Sequence, residues 1–292
     1  MPYSGPIHNG GLVNPMNIDH QEAFAQMLAF AQSPDFVVPN AMNVALNIKK
    51  TVDDPDASIK QMARMIAEEP GLSAEAIALA NSAAFRRTGR EVTDVKTATS
   101  RLGFKNVRAM GTAGVVRQIK EIVPTPELRK LTVRLWEHVS YVAALSTLIA
   151  QRITHVDEED ATFTGVIHES GAFFLIANAA AHPGMLFGGP GSLEGWNQGA
   201  EAQLGRTLLQ KIQVPPHVLE AMEQVWTGQM NPKPRTLADT LLLAHALSPV
   251  PSPIALLAGQ EAPPCTLLDA AAQEKLREDA VPQMLEHLRA IL

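Results

Sequence analysis

The chain has 292 residues, enough for one large domain or two small ones; 46% are hydrophobic and only 5% aromatic. Its core must come from Ala, Leu, Val, Ile and Met, which suits close-packed helices, whereas a β-sandwich draws more on aromatic and β-branched side chains. A net charge of −6 argues against a molecule built to coat nucleic acid or an anionic membrane, and the lone Cys265 excludes an internal disulfide and a cysteine-rich zinc site. From Met1 to Pro6 there is neither a basic n-region nor an apolar h-region, and no apolar run reaches the ~18 residues of a membrane span. A soluble, cytoplasmic protein is expected.

Residues 1–18 hold Gly, Pro and Asn without periodicity and read as a loose tail. Asp19 can cap a helix whose inward face is Phe24, Met27, Leu28 and Ala31, stopping before Pro34. Asn40 caps a second, with Val44, Ala45 and Ile48 on one side. Asp56-Ala57-Ser58 begins a third, with Ile59, Met62 and Ile66 inward and Pro70 at its end. The next runs through Leu72, Ile77 and Leu79 to Asn81-Ser82, and another covers Val95, Ala98 and Leu102 with Gly103 as its stop. A helix near 106–122 carries Gly111 and Gly114, each costing roughly 1 kcal/mol relative to Ala, which close helix contact would offset.

Pro124 and Pro126 mark a boundary. Beyond it, Leu128, Leu131, Leu135, His138, Val142, Leu145 and Ile149 alternate steps of three and four, so one helix face carries His138 inward. His168-Glu169 closes a second apolar stretch and is followed by Ser170-Gly171. Pro183, Gly184, Gly188, Gly189, Pro190 and Gly191 form a loop. Glu201 to Ile212, His217 to Trp226 and Leu237 to Leu247 read as three more helices, the last carrying His245. Pro249, Pro251, Pro253, Pro263 and Pro264 make a stiff linker to a C-terminal helix whose Leu276, Met284, Leu285, Leu288 and Ile291 need a surface to cover. With no βαβ alternation, the fold class is all-α.

Three helices that bring His138, His168-Glu169 and His245 together could hold a divalent metal. The same layout with a damaged ligand set would be the remnant of such a site, its histidines buried and hydrogen-bonded. A basic group, Arg86, Arg87, Arg90, Arg101, Lys105 and Arg108, is a candidate anion site, for a nucleotide phosphate above all. Little aromatic interleaving accompanies it, and nucleic acid is not the expected partner. Ser170 directly follows His168-Glu169, but three sequential residues do not make a triad, whose members must converge in space. Cys265 reads as a packing residue or free thiol, and Met42, Met62 and Met65 as core or groove lining.

Several runs resemble a known family. Asp54-Pro55-Asp56, Glu69-Pro70-Gly71-Leu72, the segment Leu79 to Phe85, and Arg101-Leu102-Gly103 with Val107-Arg108 look like the N-terminal part of an HDOD domain. Leu135-Trp136-Glu137-His138 and the segment Gly165 to Gly171 look like its HD-derived half, with weaker matches at Glu201 to Pro215 and at Leu243-Ala244-His245. The resemblance spans roughly 38–247 and implies a bacterial, all-helical regulatory domain related to HD phosphohydrolases and generally without demonstrated catalysis. It divides the chain into a tail over 1–18, an N-terminal helical lobe over 19–123, an HD-like helical lobe over 124–248, and a proline-rich linker with the C-terminal helix over 249–292.

In the HD phosphohydrolases, the resemblance implies, a His, a His-Asp pair and a later Asp hold the metal that activates water. Here the matching positions hold His138, His168-Glu169 and His245, so one acid is a methylene longer and one carboxylate has become a neutral ligand. A basic residue often follows the Gly after the His-acid pair in active relatives; this chain has Ala172. The expectation is a degenerate remnant without metal or other cofactor, in a non-catalytic signalling module that binds a protein partner. The alternative is a metal-dependent phosphohydrolase acting on a nucleotide or cyclic dinucleotide.

Overall fold

The computed structural model describes residues 19–34, 36, 58–67, 70–82, 85, 90–103, 107, 125–182, 184–260 and 264–291. Every regular element among them is helical, as the apolar spacing requires. The tail over 1–18, the helix expected at Asn40 and, apart from Val107, the one expected over 106–122 lie outside the described residues. Among the described residues no helix is long and apolar enough to cross a membrane.

Helix α1 (His20–Gln32) starts where the Asp19 carboxylate accepts the Glu22 backbone N–H, and it buries Ala23, Phe24, Met27 and Ala31. Helix α2 (Ile59–Ala67) buries Met62, Ala63 and Ile66. Pro70, read from sequence as the end of α2, is the first residue of α3 (Pro70–Ala80), where its fixed φ is already helical and its missing N–H costs nothing. Helix α4 (95–103) ends at Gly103, whose φ of 72° is left-handed. Together these three build one core from Met62, Ile66, Leu72, Ala76, Ala98 and Leu102. The family-like residues act as clamps here. The Asn81 side chain donates to the Val92 carbonyl and accepts the Val92 N–H, both at 2.8 Å. Arg101 donates to the Ala80 carbonyl at 3.1 Å and the Arg90 carbonyl at 2.9 Å.

The second half is organised around α5 (Pro126–Ile149), capped by the Thr125 hydroxyl and continued by a π turn over Ala150–Thr154. Around it lie α6 (Glu158–Ile167), α7 (Ser170–Asn178), α8 (Glu201–Lys211), α9 (Pro216–Val225), α10 (Leu237–Leu247), α11 (Pro253–Leu257) and α12 (Ala270–Ile291). The lower part of α5 lends Leu128, Leu135, Trp136 and Val139 to one core, with Phe173, Leu175 and Trp196. Its upper part lends Val142, Leu145, Leu148 and Ile149 to another, with Leu209, Met222, Leu241 and Leu243. His138 lies on the same helix next to Val139, close to where one set gives way to the other.

Two elements find partners that spacing alone does not give. Helix α1, grouped by sequence with the N-terminal lobe, buries its apolar face in the α5 and α7 core, where Phe24 meets Trp196 at 5.8 Å between ring centroids. Helix α12 covers α5 through Leu276, Ala280 and Met284, while Leu285 is exposed. Leu288 and Ile291 have side chains outside the described residues. The expected linker after Leu247 is not merely a spacer. Ser252 caps α11 by accepting the Ala255 N–H, and Pro253 and Ile254 are buried.

Candidate metal centre

One ring nitrogen each from His138, His168 and His245 lies within 4.8 Å of the other two. The side chains come from α5, from the turn joining α6 to α7, and from α10. His138 is 2% exposed, His168 6% and Glu169 6%, with His245 partly buried. Ring centroids are separated by 5.5 Å for His138–His168, 5.1 Å for His138–His245 and 4.5 Å for His168–His245. Local folding explains the convergence. Helix α6 ends at Ile167 and α7 begins at Ser170, so His168-Glu169 forms the corner that turns toward α5.

Backbone carbonyls fix the protons on two of the rings. His138 Nδ1 lies 2.7 Å from the Val250 carbonyl oxygen, and His168 Nδ1 lies 2.6 Å from that of Gly165. A carbonyl only accepts, so Nδ1 carries the hydrogen in both rings and each neutral Nε2 offers a lone pair. These two Nε2 atoms face each other at 3.4 Å. Burial pushes His138 down to about 4 and His245 down to about 3, the latter helped by His138. For His168, burial and then His245 and His138 drive the pKa well below the ordinary value. At neutral pH no ring proton separates the facing lone pairs, an arrangement that a cation relieves.

A carboxyl stands beside His138: Glu169 Oε1 lies 3.7 Å from His138 Nε2. Burial pushes Glu169 up to about 8, Glu201 adds to the rise, and a hydrogen bond from the Ser252 hydroxyl opposes it. Glu201 is itself raised to about 7 by burial. Among the described residues, no cationic side chain influences Glu169. Three imidazoles, two of them held in the metal-binding tautomer, fit a divalent transition ion. When bound, such an ion would act as a Lewis acid at this point.

Of the basic candidates, only Arg90 and Arg101 lie within the described residues. Arg101 is spent on the carbonyls of Ala80 and Arg90, Arg90 is exposed, and Arg86, Arg87, Lys105 and Arg108 lie outside the described residues. Ser170 Oγ donates to the Ile167 carbonyl at 2.5 Å, tying it to its own helix start. Ala172 is buried in the α5 and α7 core. Cys265 is partly buried against the α12 core, Met62 is core, and Met42 lies outside the described residues. Sequence reading missed Glu201, Ser252 and the Gly165 and Val250 carbonyls. Ser252-Pro253 carried a usable signal, since Ser followed by Pro is a helix-start pattern. The Val250 carbonyl carried none, because every residue has one.

Comparison with known proteins matches residues 38–227 to the HDOD domain model. Among solved structures, the fold resembles a signal transduction protein, provisionally so named, from Marinobacter aquaeolei VT8. The TM-score is 0.62 at 17% identity, covering 95% of this chain and 67% of that one. Two proteins of Shewanella amazonensis SB2B are also similar. One, provisionally named a phosphohydrolase, gives a TM-score of 0.57 at 21% identity over 95% of this chain and 100% of that one. The other, provisionally named a metal-dependent phosphohydrolase, gives 0.55 at 20% identity over 91% and 99%. A search of curated proteins finds no match. The matched model covers well over half of the sequence and includes both the clamp residues and the histidine corner, so the chain belongs to the HDOD domain family.

Proposed function

We propose that the chain is a non-catalytic signalling module that acts by binding another protein. The observation that carries this reading is the enclosure of the histidine cluster. His138, His168 and Glu169 are buried, and Val250 and Ser252 lie against His138 and Glu169. Metal-assisted hydrolysis of a phosphate ester needs an open coordination position for water and positive charge at the phosphate oxygens. Among the described residues no cation acts on Glu169, and Ala172 is packed away in the core, which leaves the positive charge unsupplied. The name of the Marinobacter relative agrees with a signalling role.

A second reading, a metal-dependent phosphohydrolase acting on a nucleotide or cyclic dinucleotide, draws support from the convergence of three imidazoles and from the names of the Shewanella relatives. Turnover separates the two. Purified protein supplemented with manganese, iron or magnesium is expected not to hydrolyse a panel of nucleotides and cyclic dinucleotides. Steady turnover by wild type that disappears in His168→Ala would replace the signalling reading with the enzymatic one.

A further inference from the structure

We propose that the groove filled by α1 is the docking site for an amphipathic helix of a partner protein, with α1 as its built-in competitor. This rests on the signalling reading and adds where the partner binds and what it presents. The chemistry of the occupant is visible in α1 itself. Phe24, Met27 and Ala31 recur at i, i+3 and i+7, the spacing by which one helix face fills a groove, and all three are buried. Helix α8 is the principal neighbour of α1. Phe24 lies 5.8 Å from Trp196 between ring centroids, and Phe174, Leu204 and Leu208 belong to the same core. These receiving residues all fall within 38–227, the part matched by the family model, whereas α1 ends at Gln32. The groove belongs to the family module, and its occupant is supplied from outside it.

The contact at one end of the groove reads a helix terminus rather than a sequence. Lys211 of α8 donates to the Ala31 carbonyl at 3.0 Å and to the Ser33 carbonyl at 2.7 Å. Every helix leaves its last carbonyls free and carries partial negative charge there, so a lysine at this spot receives any helix that ends beside it. The fit of α1 is incomplete at the same end. Phe30 stacks on Phe174 at 6.2 Å between ring centroids yet stays 43% exposed. A partner helix with an aromatic turned inward at that position buries more apolar surface than α1 does. The tether sets the competition: a linked helix acts at an effective concentration of roughly millimolar, so the partner must bind the open groove more tightly than α1 does.

A labelled peptide of residues 19–34, blocked at both ends, stands in for the partner helix. Phe24→Ala with Met27→Ala in the full chain, checked for retained helicity, weakens the resident helix and opens the groove. By fluorescence anisotropy the peptide is expected to bind this variant, and to bind wild type about tenfold or more weakly. Lys211→Met added to the variant is expected to lower its affinity about threefold or more. Peptide that fails to bind the folded variant, or binds it no better than wild type, overturns the proposal. Hydrogen exchange on wild type needs no variant. Amides of α1 are expected to exchange about tenfold or more faster than those of α5, because the resident helix leaves without global unfolding. Equal protection of the two helices overturns the proposal. Wild-type dimers that excess peptide dissociates overturn it as well, since the occupant is then a second copy. None of these readouts involves turnover, which alone decides between the signalling and enzymatic readings.

Discussion

Gly165 lies in α6 at the place where that helix meets α5. A Cβ there would come within 2.6 Å of the Ala143 Cα and 3.1 Å of its nitrogen, so backbone, not a yielding side chain, blocks it. The same residue's carbonyl accepts the His168 Nδ1 hydrogen. Gly165→Ala must push the helices apart or distort α6, which should cost about 1–3 kcal/mol and disturb the His168 tautomer at the same time. Urea unfolding followed by circular dichroism measures the loss, and a variant as stable as wild type would show that α5 and α6 do not touch this closely. The inward position of His138 was legible from three-and-four spacing, because the helix period alone sets it. Its partner was not: the Val250 carbonyl is 112 residues away and carries no side-chain identity.

Helix α10 shows how an element's cap can govern its response to pH. Asp239 forms a capping box with Thr236, and its carboxylate also accepts N–H groups of Asn231 and Arg235. Burial alone would raise its pKa. The backbone donors of Arg235 and Asn231, with the Asn231 and Thr236 side chains, prevail and hold it at about 2, against 3.8 ordinarily. The folded form thus binds the proton more weakly than the unfolded chain. Stability from this group is present above about pH 4 and is lost as pH falls toward 2, on the order of 2–3 kcal/mol. Asp239→Asn, which cannot accept from all these donors, should be less stable at neutral pH. Its difference from wild type should shrink as the pH is lowered through that window in chemical denaturation at stepped pH. A difference independent of pH would remove the carboxylate from the explanation. Sequence predicted α10 with the observed ends, Leu237 and Leu247, yet read 249–264 only as a linker. Five prolines hid a short helix whose cap and first turn are formed by Ser252 and Pro253.

At the scale of the whole molecule, α5 is shared by two cores, with the histidine cluster at the level where one gives way to the other. All-α class and the run of helices followed from apolar spacing and an aromatic-poor composition. Which helix covers which could not, since an amphipathic face states that it needs a partner and not which one. Helix α1 packs on α8, and α12 returns from the far end of the chain to lie on α5. This sharing predicts that damage in one core is felt in the other. Leu276, buried in the α12 core, can be cut to Ala at a cost of about 2–5 kcal/mol. Of the three tryptophans, Trp136 and Trp196 belong to the opposite core, and Trp226, partly buried against the same core as Leu276, can be replaced by Phe as a background. Because a rigid α5 belongs to both, unfolding of the α12 core should unfold the other with it. The tryptophan fluorescence midpoint in urea should therefore fall by the full amount, although no tryptophan touches the altered side chain. An unchanged midpoint would mean that the two cores melt independently and that α5 does not couple them.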